Sequence, residues 1–284
     1  MKSSLLIKIT ALLMVAITMF TLASCSLFGG EEEETTTTEL SEVVTLSAKP
    51  ENSTEILNFF NSAVNNIKAA KPGVNFKVKT SVRDFDTGDN DEAEALIRFA
   101  KSFADKLGEN STAYEWGSDL NGTLPLKGTD VISTLTPADI ADATINTRGA
   151  TEENPEPTDD NRFFYTINIA LNDGDKTGPV SKIYDLEVNK ETVLAEFQDY
   201  TDTLEVSDYD VSYNGCTIYA EINKETNEVV YMNYTINSIV TTTVDFRGEL
   251  ESLGETDVTF NYQQVIEFTD FVWDEPTEAS TEAE

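Results

Sequence analysis

A period-two alternation of apolar and polar residues recurs between residues 163 and 272 and limits the fold more than any other pattern in the chain. Successive side chains of a β-strand point to opposite faces, so the alternation predicts strands that are buried on one side. Strands joined by short turns form an antiparallel meander. Asn227 tolerates the left-handed conformation that one of these turns requires. The predicted strands span residues 163–171, 209–213, 216–222, 229–246 and 258–272.

An amphipathic helix is predicted to precede the first strand of the chain. Asn52, with Glu55 three residues later, is close to a capping box, and apolar residues then recur at helical spacing as far as Ile67. Pro72 and Gly73 end this helix. Residues 74–82 then alternate as a half-buried strand.

Two further amphipathic stripes predict helices over residues 91–107 and 190–203. Together with the strands they indicate the α+β class, as a curved antiparallel meander packed by amphipathic helices. The segment 109–150 is weakly patterned and carries two aromatic residues expected to be exposed, Tyr114 and Trp116. The alternative architecture is two small units, of which the second, a helix followed by four strands, would be cystatin-like.

The first 25 residues have the form of a bacterial lipoprotein signal. An apolar stretch follows a short basic region and is too short for a membrane-spanning helix. It ends in a sequence that resembles the lipobox, in which a peptidase cuts before a cysteine whose thiol carries a diacylglycerol. The prediction is that residues 1–24 are removed and that lipidated Cys25 anchors the chain on the extracytoplasmic face of a bacterial cell membrane. The lipobox residues are Leu22, Ala23, Ser24 and Cys25.

Composition divides the rest of the chain into three parts. Residues 25–50 are rich in Glu and Thr and poor in apolar residues, which predicts a disordered acidic tether behind the lipid. Residues 51–273 hold the α+β domain, in which the acidic, proline-containing run 151–161 is a candidate internal boundary. Residues 274–284 repeat the composition of the tether and are predicted to form a disordered tail.

The formal net charge of −33 limits the partners of this chain. Such a charge is repelled by phosphate backbones and by anionic lipid headgroups, which argues against nucleic-acid binding. Cys216 has no partner for a disulfide if Cys25 is acylated, because the chain contains two cysteines. Since Cys216 falls on the apolar side of a predicted strand, it is interpreted as a small core residue.

The residue types in the chain restrict its chemistry. The absence of histidine excludes Ser-His-Asp and Cys-His arrangements and imidazole ligands for a metal. No glycine-rich phosphate loop occurs. A run of aspartates suggests calcium, but its spacing departs from the twelve-residue calcium loop, so a turn before a helix is favoured over a metal site. The alternative metal candidates are Asp84, Asp86, Asp89 and Asp91.

Residues 52–82 and 215–240 carry a resemblance to known lipoproteins. A lipobox, an acidic tether, a helix feeding into a strand, and a cysteine-bearing strand before an Asn-x-x-Thr-Asn turn resemble uncharacterised lipoproteins of Clostridia-type bacteria. The helix-then-strand opening is also similar to the curved half-barrel of lipoprotein carriers such as the LolA and LppX groups. This resemblance implies a sheet and covering helices that hold a ligand.

Three functional hypotheses follow. The favoured one is a membrane-anchored binding lipoprotein, not an enzyme, that holds a lipid or small apolar ligand. It needs no cofactor besides the covalent diacylglycerol at Cys25. The alternative is a cell-envelope interaction or structural lipoprotein that acts through its sheet face or the segment from Tyr114 to Trp116. A hydrolase that uses carboxylates is the third hypothesis.

Overall fold

A computed structural model describes residues 48–90, 109–118, 135–175, 178–180 and 204–275. The lipobox, most of the tether, the predicted helices at 91–107 and 190–203, and all but the start of the tail lie outside these residues. The described part is mostly antiparallel sheet with one α-helix, which confirms the α+β class; packing by several helices is not confirmed. The elements are α1 (Ser53–Ala70), β1 (Gly73–Asp86), β2 (Glu109–Tyr114), β3 (Ile140–Thr147), β4 (Phe164–Leu171), β5 (Gly174–Asp175), β6 (Leu204–Tyr213), β7 (Thr217–Asn223), β8 (Val229–Phe246) and β9 (Glu255–Val272), with short 3-10 helices at Pro137–Asp139, Asp160–Phe163 and Gly248–Leu253.

Helix α1 begins and ends as its sequence predicts. The Asn52 side chain accepts a hydrogen bond from the backbone N–H of Glu55 at 3.0 Å. Lys71 adopts a left-handed conformation, with φ of 50°, and its N–H donates to the carbonyl of Ile67. This closes the last helical turn, as C-terminal caps do. Pro72 and Gly73 follow and lead directly into β1.

The nine strands of the described residues form one antiparallel sheet with the main order β2-β1-β9-β8-β7-β4-β3. Strands β7, β8 and β9 are consecutive neighbours, as in a meander. The first strand, however, pairs with the last, from Gly73 opposite Val272 to Asp86 opposite Thr259. The sheet is therefore not a plain meander, because β1 and β9 are neighbours although they are far apart in sequence.

Strands β6 and β7 form one long strand with an interruption. Both pair with the same edge of β8, since β9 occupies the other edge. Between Tyr213 opposite Ser238 and Thr217 opposite Thr235, three residues face two, which is the arrangement of a β-bulge. Gly215, with φ of 58°, provides the left-handed residue at this point.

The two faces of the sheet differ in burial. We call the face that packs on α1 the inner face and the opposite one the outer face. On the inner face, Phe268 lies 5.2 Å from Phe76 and 6.4 Å from Tyr234 between ring centroids, and Phe59 of α1 contacts Tyr165 edge-on at 6.1 Å. These buried aromatic rings form part of the core on the inner face.

Several details of the sequence-based prediction are corrected. Strands β2 and β3 lie in the segment that showed little pattern. Strand β1 extends past the predicted end at residue 82, because it continues through a register shift to Asp86. Asp84 has a left-handed conformation at this shift, with φ of 53°. The hairpin turn before β8 is confirmed, and Asn227 has the expected positive φ of 58°.

Candidate functional sites

Three polar side chains interrupt the apolar inner face near its middle. They are Thr80 of β1, Ser238 of β8 and Gln264 of β9, which we call the inner-face polar patch. Gln264 is 0% exposed and Ser238 is 3% exposed. Within the described residues, neither Nε2 nor Oε1 of Gln264 has a hydrogen-bond partner, and Oγ of Ser238 has none.

Strand register places these three side chains together. Gln264 is opposite Thr80 on one side and opposite Ile236 on the other. Ser238 is two residues from Ile236 along β8, so it lies diagonally across from Gln264 on the same face. Diagonal neighbours in a sheet are about 7–8 Å apart, within reach of a long side chain or of a shared ligand group.

The surroundings of the patch are apolar or aromatic. Ser238 pairs with Tyr262 on one side and Tyr213 on the other, and both tyrosines are buried. Val240 and Ile266 continue the inner face on either side. A primary amide offers two N–H donors and a carbonyl acceptor. The patch therefore offers neutral hydrogen-bond donors and acceptors among apolar and aromatic side chains.

A second candidate site lies at the end of the sheet near the start of β1. It is an open groove of about 530 Å³, which we call the rim groove. Trp116 is 37% exposed and Val272 is 50% exposed, so two large apolar side chains face solvent here. The lining residues are Gly73, Val74, Asn75, Tyr114, Glu115, Trp116, Asp270 and Val272.

Backbone contacts shape the rim groove. A Cβ on Gly73 would lie 3.2 Å from the backbone N of Trp116 and 3.3 Å from the carbonyl O of Tyr114, so glycine allows β2 to approach the start of β1. The indole N–H of Trp116 donates to the carbonyl of Trp273 at 3.3 Å. The Trp273 indole in turn donates to the carbonyl of Val229 at 2.9 Å. These two hydrogen bonds therefore connect the exposed indole of Trp116, through Trp273, to the sheet.

Asp270 supplies a fixed carboxylate to the rim groove. Its backbone is left-handed, with φ of 55°, a conformation that aspartate tolerates. Its Oδ2 accepts from Nδ2 of Asn75 at 2.8 Å and from the hydroxyl of Thr269 at 3.0 Å. The bond from Asn75, followed by that from Thr269, lowers the pKa of this carboxyl. Asp270 therefore remains ionised at neutral pH.

The outer face carries a row of polar and aromatic contacts instead of an open site. Tyr219 donates to Glu221 at 2.8 Å, and Glu221 forms an ion pair with Arg148 at 3.1 Å. Tyr231 donates to Glu267 at 2.9 Å and contacts the ring of Tyr219 edge-on at 5.8 Å. Burial, and then the bond to Glu221, raise the pKa of Tyr219. These tyrosines therefore stay neutral donors, and we interpret the row as structural.

The remaining sequence-based candidates fall outside such sites. Asp84 accepts from Asn261 at 2.8 Å and Asp86 accepts from the N–H of Gly88 at 2.9 Å, whereas Asp91 lies outside the described residues. Within the described ranges, no three His, Cys, Asp or Glu side chains are grouped as metal ligands. Cys216 is buried, as predicted, and burial raises the pKa of its thiol to about 11.

Comparisons with known proteins gave no relative from which a site could be inferred. No family model, no curated protein and no solved structure matches the chain. In the part of the chain that the structure describes, α1 and the short helices are not long and apolar enough to cross a membrane.

Sequence reasoning missed the inner-face polar patch. A signal was present, because Gln264 occupies an inward position in the alternation Phe260, Tyr262, Gln264, Ile266, Phe268. Ser238 interrupts the corresponding series of β8 in the same way. A polar residue in an inward position can equally be satisfied by a neighbour. The assembled sheet shows that Gln264 and Ser238 lack hydrogen-bond partners among the described residues.

Proposed function

We propose that this protein is a membrane-anchored extracytoplasmic lipoprotein that binds an amphipathic ligand on the inner face of its sheet. The supporting observation is the fully buried side-chain amide of Gln264, whose two ends have no hydrogen-bond partner among the described residues. Leaving a buried polar group unpaired costs about 1–3 kcal/mol. A ligand whose polar group binds this amide would remove that cost when it enters.

The chemistry of the patch specifies the ligand class. The amide of Gln264 and the hydroxyl of Ser238 are both neutral, and the aromatic and aliphatic residues around them favour apolar groups. An ester, an amide or a hydroxyl attached to a hydrocarbon chain meets both requirements, as in a lipid. The proposed role is therefore binding or carriage of a lipid-like molecule by a sheet curved around it, without catalysis.

Anchoring at Cys25 is the second part of the proposal. The lipobox residues Leu22 to Cys25 would place the acylated cysteine at the membrane and the domain within a tether's length of it. Metabolic labelling with a fatty acid tests this part. Cys25→Ala should abolish the label, and a label that persists would contradict lipidation at this residue.

Native mass spectrometry of the full chain, extracted from its own membrane, tests the ligand. We expect a bound mass in the native spectrum that is lost on denaturation, which distinguishes it from covalent lipid. Gln264→Leu should lower the bound fraction at least several-fold. Gln263→Leu is the matched control, since Gln263 is the neighbouring glutamine on the outer face and should leave binding unchanged.

Two results would contradict the proposal. One is wild-type protein that carries no non-covalent mass and takes up no fluorescent fatty-acid ester or monoacylglycerol when these are added. The other is binding that Gln264→Leu and Gln263→Leu reduce equally, since the ligand would then not depend on the inner face. Circular dichroism of both variants verifies that they are folded.

A further inference from the structure

The rim groove combines side chains that recognise a positive charge. Trp116 presents a partly exposed indole, and Tyr114 lies beside it with its ring held edge-on against Phe76 at 6.3 Å. The faces of such rings attract cations within about 6 Å of the centroid, and tryptophan is the strongest of them. Glu115 and Asp270 add two carboxylates to the same lining.

Charge complementarity favours a cation over other ligands. Among the described residues that line the rim groove there is no Lys or Arg side chain to meet an anion. The whole chain carries a formal charge of −33, which raises the local concentration of cations. A neutral sugar could also stack on Trp116, but it would gain nothing from the two carboxylates' charge.

The groove is also arranged before any ligand arrives. Asn75 and Thr269 hold one oxygen of Asp270, and the bond from Trp116 to Trp273 restricts its indole. Because the groups that would contact a ligand are already ordered, binding loses less conformational entropy.

We propose that the rim groove is a second binding site, separate from the inner face, and that it takes an organic cation bearing an ammonium group. The ammonium would lie against the indole of Trp116 with its charge facing Asp270 and Glu115. A free quaternary amine and the side chain of a lysine residue carry this same chemistry. The experiment therefore uses both as probes.

Intrinsic fluorescence reports directly on this site. The chain contains two tryptophans: Trp116 lines the rim groove, and the backbone carbonyl of Trp273 accepts its indole N–H. Choline and Nα-acetyl-lysine amide are titrated into the full chain at constant ionic strength, with 3,3-dimethylbutanol as the uncharged isostere of choline. We expect a saturable change with at least one cation, about tenfold tighter than with the isostere.

Calorimetric titration of variants then locates the binding. Asp270→Asn keeps the shape and the left-handed backbone but removes the charge, and it should weaken the cation about fivefold. Trp116→Ala should weaken it at least as much, with Trp116→Phe intermediate. The matched control is Glu255→Gln, an exposed carboxylate at the opposite end of the same strand, which should have no effect.

Each remaining outcome would overturn the proposal. Equal binding of choline and its isostere would show an apolar groove, and binding of a chitin oligosaccharide without choline would show a sugar site. Cation binding that Asp270→Asn and Glu255→Gln weaken equally would show general attraction to an acidic surface. If neither cation gives a saturable change up to about 50 mM, a concentration far above useful dissociation constants, the site is ruled out. Unchanged circular dichroism verifies that each variant is folded.

Discussion

Gln263 and Gln264 are neighbours in β9, and their surroundings are opposite. Gln263 lies on the outer face, half-buried, and its Nε2 donates to the side-chain oxygen of Asn237 at 2.8 Å. Gln264 lies on the inner face, fully buried, and its amide has no partner among the described residues. The same side chain is thus satisfied on one face and unsatisfied on the other.

The same difference between the two faces extends along β8 and β9. On the outer face, Tyr231 donates to Glu267 of the neighbouring strand and accepts from Asn233 of its own strand, and these partly exposed groups also have water available. On the inner face, Gln264 and Ser238 are shielded from water and have no hydrogen-bond partner among the described residues, so a polar group there is costly unless something else binds it. The inner-face polar patch is therefore less expected than the outer-face contacts, and it is the better guide to function.

The largest effect should come from removing an inner-face ring. Phe268→Ala should lower the free energy of unfolding by about 3–5 kcal/mol, because Phe268 is fully buried between Phe76 and Tyr234. Val265→Ala, on the outer face of the same strand, should cost about 1 kcal/mol or less. Urea unfolding measures both, and equal losses would contradict the assignment of faces.

Substitution of the two glutamines should change the free energy of unfolding in opposite directions. Gln264→Leu in the ligand-free protein should raise the free energy of unfolding by about 1–3 kcal/mol, because it removes an unpaired buried amide. Gln263→Leu should lower it by up to about 1 kcal/mol, because it breaks the bond to Asn237. Thermal and urea unfolding provide the measurement. A marked loss of stability in Gln264→Leu would mean that the amide already has a partner.

Alkaline pH should destabilise the protein through Cys216. Burial raises the pKa of this thiol from 9.0 to about 11, so the folded state keeps a proton that the unfolded state releases. The stabilisation is complete below pH 9 and is lost as pH rises through 11. Between pH 8 and 10 the loss should be about 1 kcal/mol. Cys216→Ala should flatten this part of the pH profile, and an unchanged slope would contradict the assignment.

The smallest effect is expected on the outer face. Tyr231→Phe removes the hydroxyl that donates to Glu267 and leaves the ring against Tyr219. Because both groups are partly exposed, the free energy of unfolding should fall by about 0.5–1 kcal/mol. A double-mutant cycle with Glu267→Gln measures the coupling. A loss above about 2 kcal/mol would show that the outer-face contacts stabilise the fold as much as the core contacts do.

Local chemistry explains which elements the sequence predicted. Asn52 and Glu55 form the cap of α1, and Asn227 has the positive φ that its turn requires, since each depends on a few adjacent residues. The alternation of β4 and β7 to β9 marks their buried faces correctly. Strand β2 escaped prediction because its polar residues show no buried face, and its pairing with β1 is a long-range contact.

The candidate sites were predicted in part. Trp116 was expected to be exposed, and it is, whereas Tyr114 was also expected to be exposed and is half-buried against Phe76. The carboxylate of Asp270, which completes the rim groove, is separated from Trp116 by more than a hundred residues. The inner-face polar patch likewise joins β1 to β8 and β9. Gln264 and Ser238 each interrupt an apolar series locally, but no local pattern shows which distant residues come together at either site.

By itself the sequence determined the α+β class, the capped helix, the positions of most strands and the side of each that is buried, because these depend on propensity and periodicity over short distances. It also carries the lipobox prediction at Cys25. The tertiary structure decided that β1 pairs with β9, that β6 and β7 share one edge of β8, and that Gln264 has no hydrogen-bond partner among the described residues. These are properties of strand register between distant segments, and hydrogen-bond satisfaction can be judged once that register is known.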